Sequence, residues 1–195
     1  MIKKTFLFSL ILIITSCAIK KINYTYDFKT IQKGIDFTQS NGLWFLNIID
    51  IPEKKAGRQV NLILSQLNKW TKNNTVLKSN IIDKGGKSIF LNLSKKIEKE
   101  QLNFLKEVTN YKYFMNVRLI KNVNNHMYHT AEMMFDVYDI SKEKLILSER
   151  IIGNIYNEDP SLFDDDKSFK LTATPNLISG LIKKGLKRIE KNSKY

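Results

Sequence analysis

Three runs of alternating side chains between Tyr111 and Tyr156 constrain this chain more than any other feature. In the first, Tyr111, Tyr113, Met115, Val117 and Leu119 alternate with mostly polar neighbours. In the second, Ala131, Met133, Phe135 and Val137 are opposed by Glu132 and Asp136, and the third, Leu145 to Tyr156, follows a turn at Asp139 to Lys144. A period of two puts successive side chains on opposite faces of a sheet. Polar turns between consecutive runs then predict an antiparallel meander of three strands.

The elements before and after the meander differ in pattern. Leu43 to Ile51 is apolar on both parities, with Trp44, Leu46 and Ile48 on one face and Leu43, Phe45, Ile49 and Ile51 on the other. This is the pattern of a strand buried on both faces, and Pro52 ends it. Val60, Ile63, Leu64, Leu67 and Trp70 recur at helical spacing and predict a helix over 57–71 that lays one face on the sheet. A short strand is expected over 75–82. Gly85 and Gly86 make a turn, and Ser94 is placed to cap a helix over 95–108 whose apolar positions are Ile97, Leu102, Phe104, Leu105 and Val108. After the meander, Asn157 to Ser168 reads as an acidic loop. Thr174 as N-cap and Pro175 as first helical residue open a closing helix to about Asn192. Its buried side is Ile178, Leu181, Ile182, Leu186 and Ile189, with Lys183, Lys184, Lys187, Lys191 and Lys194 opposite. The expectation is one α/β domain over 41–195: a mixed, largely antiparallel sheet of about five strands flanked by about three helices.

The N-terminus is of another kind. Lys3 and Lys4 precede an apolar run from Phe6 to Ile14, followed by Thr15, Ser16 and Cys17, the only cysteine in the chain. This is a signal-peptide layout, and the run is shorter than the roughly 20 apolar residues a spanning helix needs. Ile14-Thr15-Ser16-Cys17 resembles the lipobox of bacterial lipoproteins. The resemblance implies a signal peptide over 1–16, cleavage before Cys17, and a diacylglycerol and palmitate on that residue. Residues 17–40 then read as the lipidated cysteine and a tether. No acidic cluster follows Cys17, which by resemblance to known sorting signals implies the periplasmic face of the outer membrane.

A cut before Cys17 removes 16 of the 195 residues and leaves 179, enough for one domain with a real core. Hydrophobic residues at 43% and charged residues at 26% place the chain among globular proteins rather than disordered ones. A single cysteine allows no internal disulfide. Loss of Lys3 and Lys4 takes the formal charge from +13 to +11. Export excludes nucleic acid as the partner for that charge and leaves anionic lipid, cell-wall polymer or an acidic protein surface.

Motifs that carry chemistry are sparse. Lys87 and Ser88 after Gly86 have the look of a P-loop end, but Ile81 stands where another glycine is required. His126, His129 and Glu132 form H-x-x-H-x-x-E, yet residues three apart on a strand point to opposite faces, so a hairpin with exposed histidines is expected and no metal site. Glu158, Asp159, Asp164, Asp165 and Asp166 lack the spacing and the glycine of an EF-hand loop. No nucleophile motif occurs, so neither catalytic residues nor cofactors are expected.

The element order, Thr109-Asn110 followed by TyrLysTyrPheMetAsnVal at 111–117, PheAspValTyrAspIle at 135–140, LeuIleLeuSerGlu at 145–149 and the closing amphipathic helix resemble the curli-secretion lipoprotein and penicillin-binding-protein-activator superfamily. That resemblance covers about 150 residues. It implies a non-catalytic lipoprotein that binds another envelope protein in envelope assembly or regulation. The alternatives are a structural lipoprotein holding cell wall or anionic lipid through Lys183, Lys184, Lys187 and Lys191, and a cell-wall-directed enzyme using carboxylates of the acidic loop. If Cys17 carries the anchor, Cys17→Ser leaves the chain without lipid and free of the membrane fraction, checked by intact mass and by fractionation.

Overall fold

The computed structural model describes residues 22–30, 35, 37, 43–49, 53–72, 75–77, 83–88, 96–125, 127–156 and 166–192. In chain order the elements are β1 (Asn23–Thr30), β2 (Leu43–Ile49), α1 (Glu53–Thr71), β3 (Thr75–Leu77), α2 (Lys99–Val108), β4 (Tyr111–Asn124), β5 (Tyr128–Asp139), β6 (Lys144–Tyr156) and α3 (Asp166–Asn192). One six-stranded sheet runs β1-β6-β5-β4-β2-β3. The α/β class and mixed sheet are as expected: β4, β5, β6 and β1 pair antiparallel, while β2 lies parallel to both β4 and β3.

The sixth strand comes from the stretch expected to be tether. Asn23 to Thr30 pairs with β6 from Asn154 to Leu147, and Ile35 and Phe37 are buried in the core beyond it. Tyr24, Tyr26 and Phe28 alternate with Thr25, Asp27 and Lys29, so the period of two is present in the sequence, carried by aromatic residues among lysines. Cys17 lies outside the described residues.

Chain direction dictates which face each helix covers. From β2 through α1 the chain steps outward to β3, and from β3 through α2 it steps back across β2 to β4. Parallel crossovers are right-handed almost without exception, so reversing the step puts the two helices on opposite faces. On one face, Ile63, Leu67 and Trp70 of α1 and Leu177, Ile178, Leu181, Ile182, Leu186 and Ile189 of α3 cover Met115, Val117, Leu119, Ala131, Met133, Phe135, Val137 and Ile151. Phe37 stacks on Trp70 with ring centroids 5.2 Å apart, and Gln66 Nε2 donates to Glu190 Oε1 at 3.4 Å, joining α1 to α3. On the other face α2 makes a smaller core of Ile97, Leu102, Leu105, Phe114, Tyr138 and Ile140. At 10 residues α2 is about 15 Å long, and it reaches only one end of the sheet.

Helix starts differ from expectation in all three helices, and α1 begins at Glu53, four residues before the expected Gly57. α2 begins at Lys99, where Gln101 Oε1 accepts from the Glu98 backbone N–H at 3.1 Å and satisfies a group the helix itself leaves open; Ser94, the expected cap, lies outside the described residues. α3 begins at Asp166, so Pro175 is interior to the helix and not its first residue. Its ring supplies no N–H, and one backbone carbonyl on the preceding turn goes without its helical bond. Two bulges mark the meander, leaving Ile120 of β4 and Ile146 of β6 without a direct cross-strand partner.

Two helical glycines have opposite surroundings. A Cβ on Gly57 of α1 would meet nothing within 4 Å, whereas one on Gly185 of α3 would lie 2.6 Å from Phe135 Cε2 and 2.8 Å from Ile151 Cδ1. Gly57→Ala is therefore expected to raise stability by about 0.5–1 kcal/mol. Gly185→Leu is expected to lower it by roughly 1–3 kcal/mol or more through overpacking. Urea midpoints moving in opposite directions check both.

Candidate functional site

Because α2 is short, the rest of its face of the sheet is open among the described residues. The register arranges that open part in rows across the strands. Arg118, Met134, Arg150 and Asp27 form one row; Lys121, Glu132, Ile152 and Thr25 the next; then Val123, Thr130, Asn154 and Asn23; and last Tyr128 beside Tyr156. Met134 sits between two arginines, each of which reaches diagonally to a carboxylate two residues along β5. Arg118 Nη2 donates to Asp136 Oδ2 at 2.6 Å, and Arg150 Nε donates to Glu132 Oε1. Ser148 Oγ adds a bond to Asp136 Oδ1 at 2.7 Å, and Thr130 Oγ1 donates to Asn154 Oδ1 at 2.7 Å.

These residues form a preorganised polar ladder. The carboxylates Glu132 and Asp136 are buried, while Met134, Arg150 and Ile152 are only half covered. Removing one partner of a buried pair strands the other charge, which costs about 3–5 kcal/mol. Arg118 and Asp136 are the more enclosed pair, at 12% and 3% side-chain exposure. Of 32 basic residues only four are arginine, and three of those, Arg118, Arg150 and Arg188, meet a carboxylate. A planar guanidinium holds a carboxylate in fixed geometry where a lysine ammonium does not. The scarcity of arginine in a lysine-rich chain is the sequence signal that marks these positions, and the reading from motifs passed over it.

The third pair lies on the helix-covered face. Glu149 is fully buried on β6, with Arg188 Nε of α3 2.8 Å from its Oε1. The Arg188 guanidinium lies over the Tyr26 ring, 4.9 Å from its centroid. Burial pushes the Glu149 carboxyl up to about 7 against the pull of Arg188, and the Asp27 charge adds to the rise.

The residues singled out in the sequence are dispersed. His126 lies outside the described residues. His129 is buried and not exposed: its Nε2 is 2.7 Å from Asn122 Oδ1, and burial lowers its pKa. Glu132 faces the opposite side of β5 and is held by Arg150. Among the described residues no group of three His, Cys, Asp or Glu side chains stands close enough to hold a metal ion. At the glycine turn, Asp83 Oδ1 accepts the N–H groups of Gly85 and Lys87 at 2.9 and 2.8 Å, occupying amides that a phosphate would need. Gly86 there has φ 83°, a conformation glycine adopts without strain. Glu158, Asp159, Asp164 and Asp165 lie outside the described residues. Lys183, Lys184, Lys187 and Lys191 are exposed along α3, with Lys184 Nζ 5.5 Å from the Tyr24 ring centroid. Among the described residues no helix is long and apolar enough to cross a membrane.

Glu149 makes stability depend on pH. Between its ordinary 4.5 and about 7 the folded chain keeps a proton that the unfolded chain has released, so this group's contribution falls as pH rises through that window. In Glu149→Gln that contribution is absent. The variant's urea midpoint is therefore expected to gain on the wild type between pH 4.5 and 7 and to run parallel to it above.

No protein-family model matches the chain, and a search of curated proteins finds no match. Among solved structures the fold is similar to the PelC dodecamer from Paraburkholderia phytofirmans, at 10% identity over 89% of this chain and 100% of that one, with a TM-score of 0.45. It is also similar to the hypothetical protein CT253 from Chlamydia trachomatis, at 15% identity over 78% of this chain and 98% of that one, with a TM-score of 0.43. At such scores neither likeness bears on function.

Proposed function

We propose that this chain is a lipid-anchored accessory protein of a bacterial envelope. Lipid on Cys17 holds it at the periplasmic face of the outer membrane, and it works without catalysis by binding another envelope protein through the open face of its sheet. The observation that carries the reading is the make-up of the middle of that face: Arg118, Arg150, Met134 and Ile152, with Lys121 the one lysine in its rows. Protein interfaces are enriched in arginine and methionine and depleted in lysine, whereas the rest of this surface is lysine-rich. The ion pairs fix the arginines in place, so binding costs little ordering of side chains. The lipobox-like sequence supports the anchor and the location.

The exposed line of Lys183, Lys184, Lys187 and Lys191 favours a second reading, a structural lipoprotein that holds cell wall through charge.

A photo-crosslinking side chain at Ile152 is expected to give one discrete adduct with an envelope protein in living cells. The same side chain at Lys142, in the β5–β6 turn, is expected to give none, and Arg150→Glu should abolish the adduct at Ile152. Equal labelling from both positions, or none, would overturn the reading. Binding to purified cell wall that disappears with added salt and with Lys→Gln at the four α3 positions would favour the second.

A further inference from the structure

The chain enters the domain at the same end of the sheet at which its exposed apolar side chains gather. Among the described residues seven large hydrophobic side chains are exposed, and four of them, Val123, Met127, Tyr128 and Tyr156, stand at the β4–β5 hairpin end, with Ile120 just behind at the bulge. Met127 and Tyr156 are each 56% exposed. Asn125 Oδ1 accepts from the N–H groups of Met127 and Tyr128 at 3.0 and 2.8 Å, which fixes the tip so that Met127 projects from it.

β1 runs antiparallel to β6, with Asn23 opposite Asn154, so its N-terminal end lies beside the C-terminal end of β6, where Tyr156 sits next to Tyr128 of β5. At the usual strand spacing these tyrosines lie about 5 and 10 Å from the line of β1. Ile22, packed against the core, is five residues from Cys17, a span of at most about 18 Å even when fully extended. A lipid on Cys17 therefore brings the bilayer to this end of the sheet.

We propose that the hairpin end, Val123, Met127, Tyr128 and Tyr156, rests in the interface of the lipid bilayer that holds Cys17, so that the strands stand up from the membrane. The inference rests on the lipid anchor proposed above. Tyrosine suits the site because its ring is apolar and its hydroxyl wet, the combination found in membrane-interface belts. Lys20 and Lys21, between Cys17 and the first strand, add attraction to anionic headgroups. The lysine side of α3 is a poorer contact in this stance. Leu177 packs at Gly153, near the same end, and from there the helix climbs about 1.5 Å per residue, carrying Lys183, Lys187 and Lys191 progressively away.

The full chain, made in bacteria with its own leader, is labelled with an environment-sensitive fluorophore at Met127→Cys, Lys142→Cys or Lys187→Cys. It is then reconstituted in phosphatidylethanolamine and phosphatidylglycerol vesicles with brominated acyl chains. The label at 127 is expected to shift to shorter wavelength and to be quenched at a depth of about 5–10 Å, while those at 142 and 187 stay as in water. If the intact mass shows an acylated Cys17 and position 127 is quenched no more than 142, the placement is overturned and the anchor stands. Stronger quenching at 187 than at 127 would overturn it in favour of a chain lying on its α3 lysines. A mass without acyl groups would overturn the anchor and the placement together.

Discussion

A carboxylate inside a sheet must meet a cation or give up its charge, and this sheet contains both outcomes. Asp136 and Glu132 meet arginines on neighbouring strands, and those diagonal pairs tie β4 and β6 to the central β5. Glu149 faces the apolar side, where α3 brings a guanidinium to it, yet burial still lifts its pKa towards neutrality. Residues 132 and 136 lie on one face and 149 on the other, so the charged positions constrain both faces. A slip of one residue between β5 and either neighbour would point Glu132 and Asp136 into the layer under α1 and α3. Such pairs add little net stability compared with apolar residues of the same size. Here their geometric consequence is a single register.

The same constraint explains which parts were legible in the sequence. Apolar periodicity located the meander, α1, and the buried side of α3, because those elements lie against a dry core on one side and solvent on the other. Ile178, Leu181, Ile182, Leu186 and Ile189 are all buried as their spacing implied. Alternation puts Glu132 and Asp136 on the face opposite Met133 and Phe135 but does not show that this face also buries them, and His129, expected to be exposed, is buried as well. Their partners, Arg118, Arg150 and Asn122, are supplied by other strands. A pattern rule applied along one strand does not see across to the next. The face left open among the described residues likewise arises from the length of α2 and the direction of its crossover, neither of which any single residue records.

β1 was missed for a related reason. An edge strand has one neighbour and weaker demands on composition, and Tyr24, Thr25, Tyr26 and Asp27 among lysines look like a soluble linker. Here Tyr24 and Tyr26 lie along α3, with Lys184 near the first ring and Arg188 over the second, so ring-to-cation packing adds to the ladder that holds the strand.

That edge position also sets the order of assembly. Asn23 and Asn154 are partners across the sheet although most of the chain lies between them. The hairpins of β4, β5 and β6 close over short turns, whereas the β1 contact closes a loop spanning nearly the whole domain and bears the largest entropic cost. The first of the described strands to be synthesised is thus the one that must wait, unpaired, for β6 to follow. During that interval its exposed edge is open to any other strand, and chains folding side by side are most vulnerable to exchanging β1 with a neighbour.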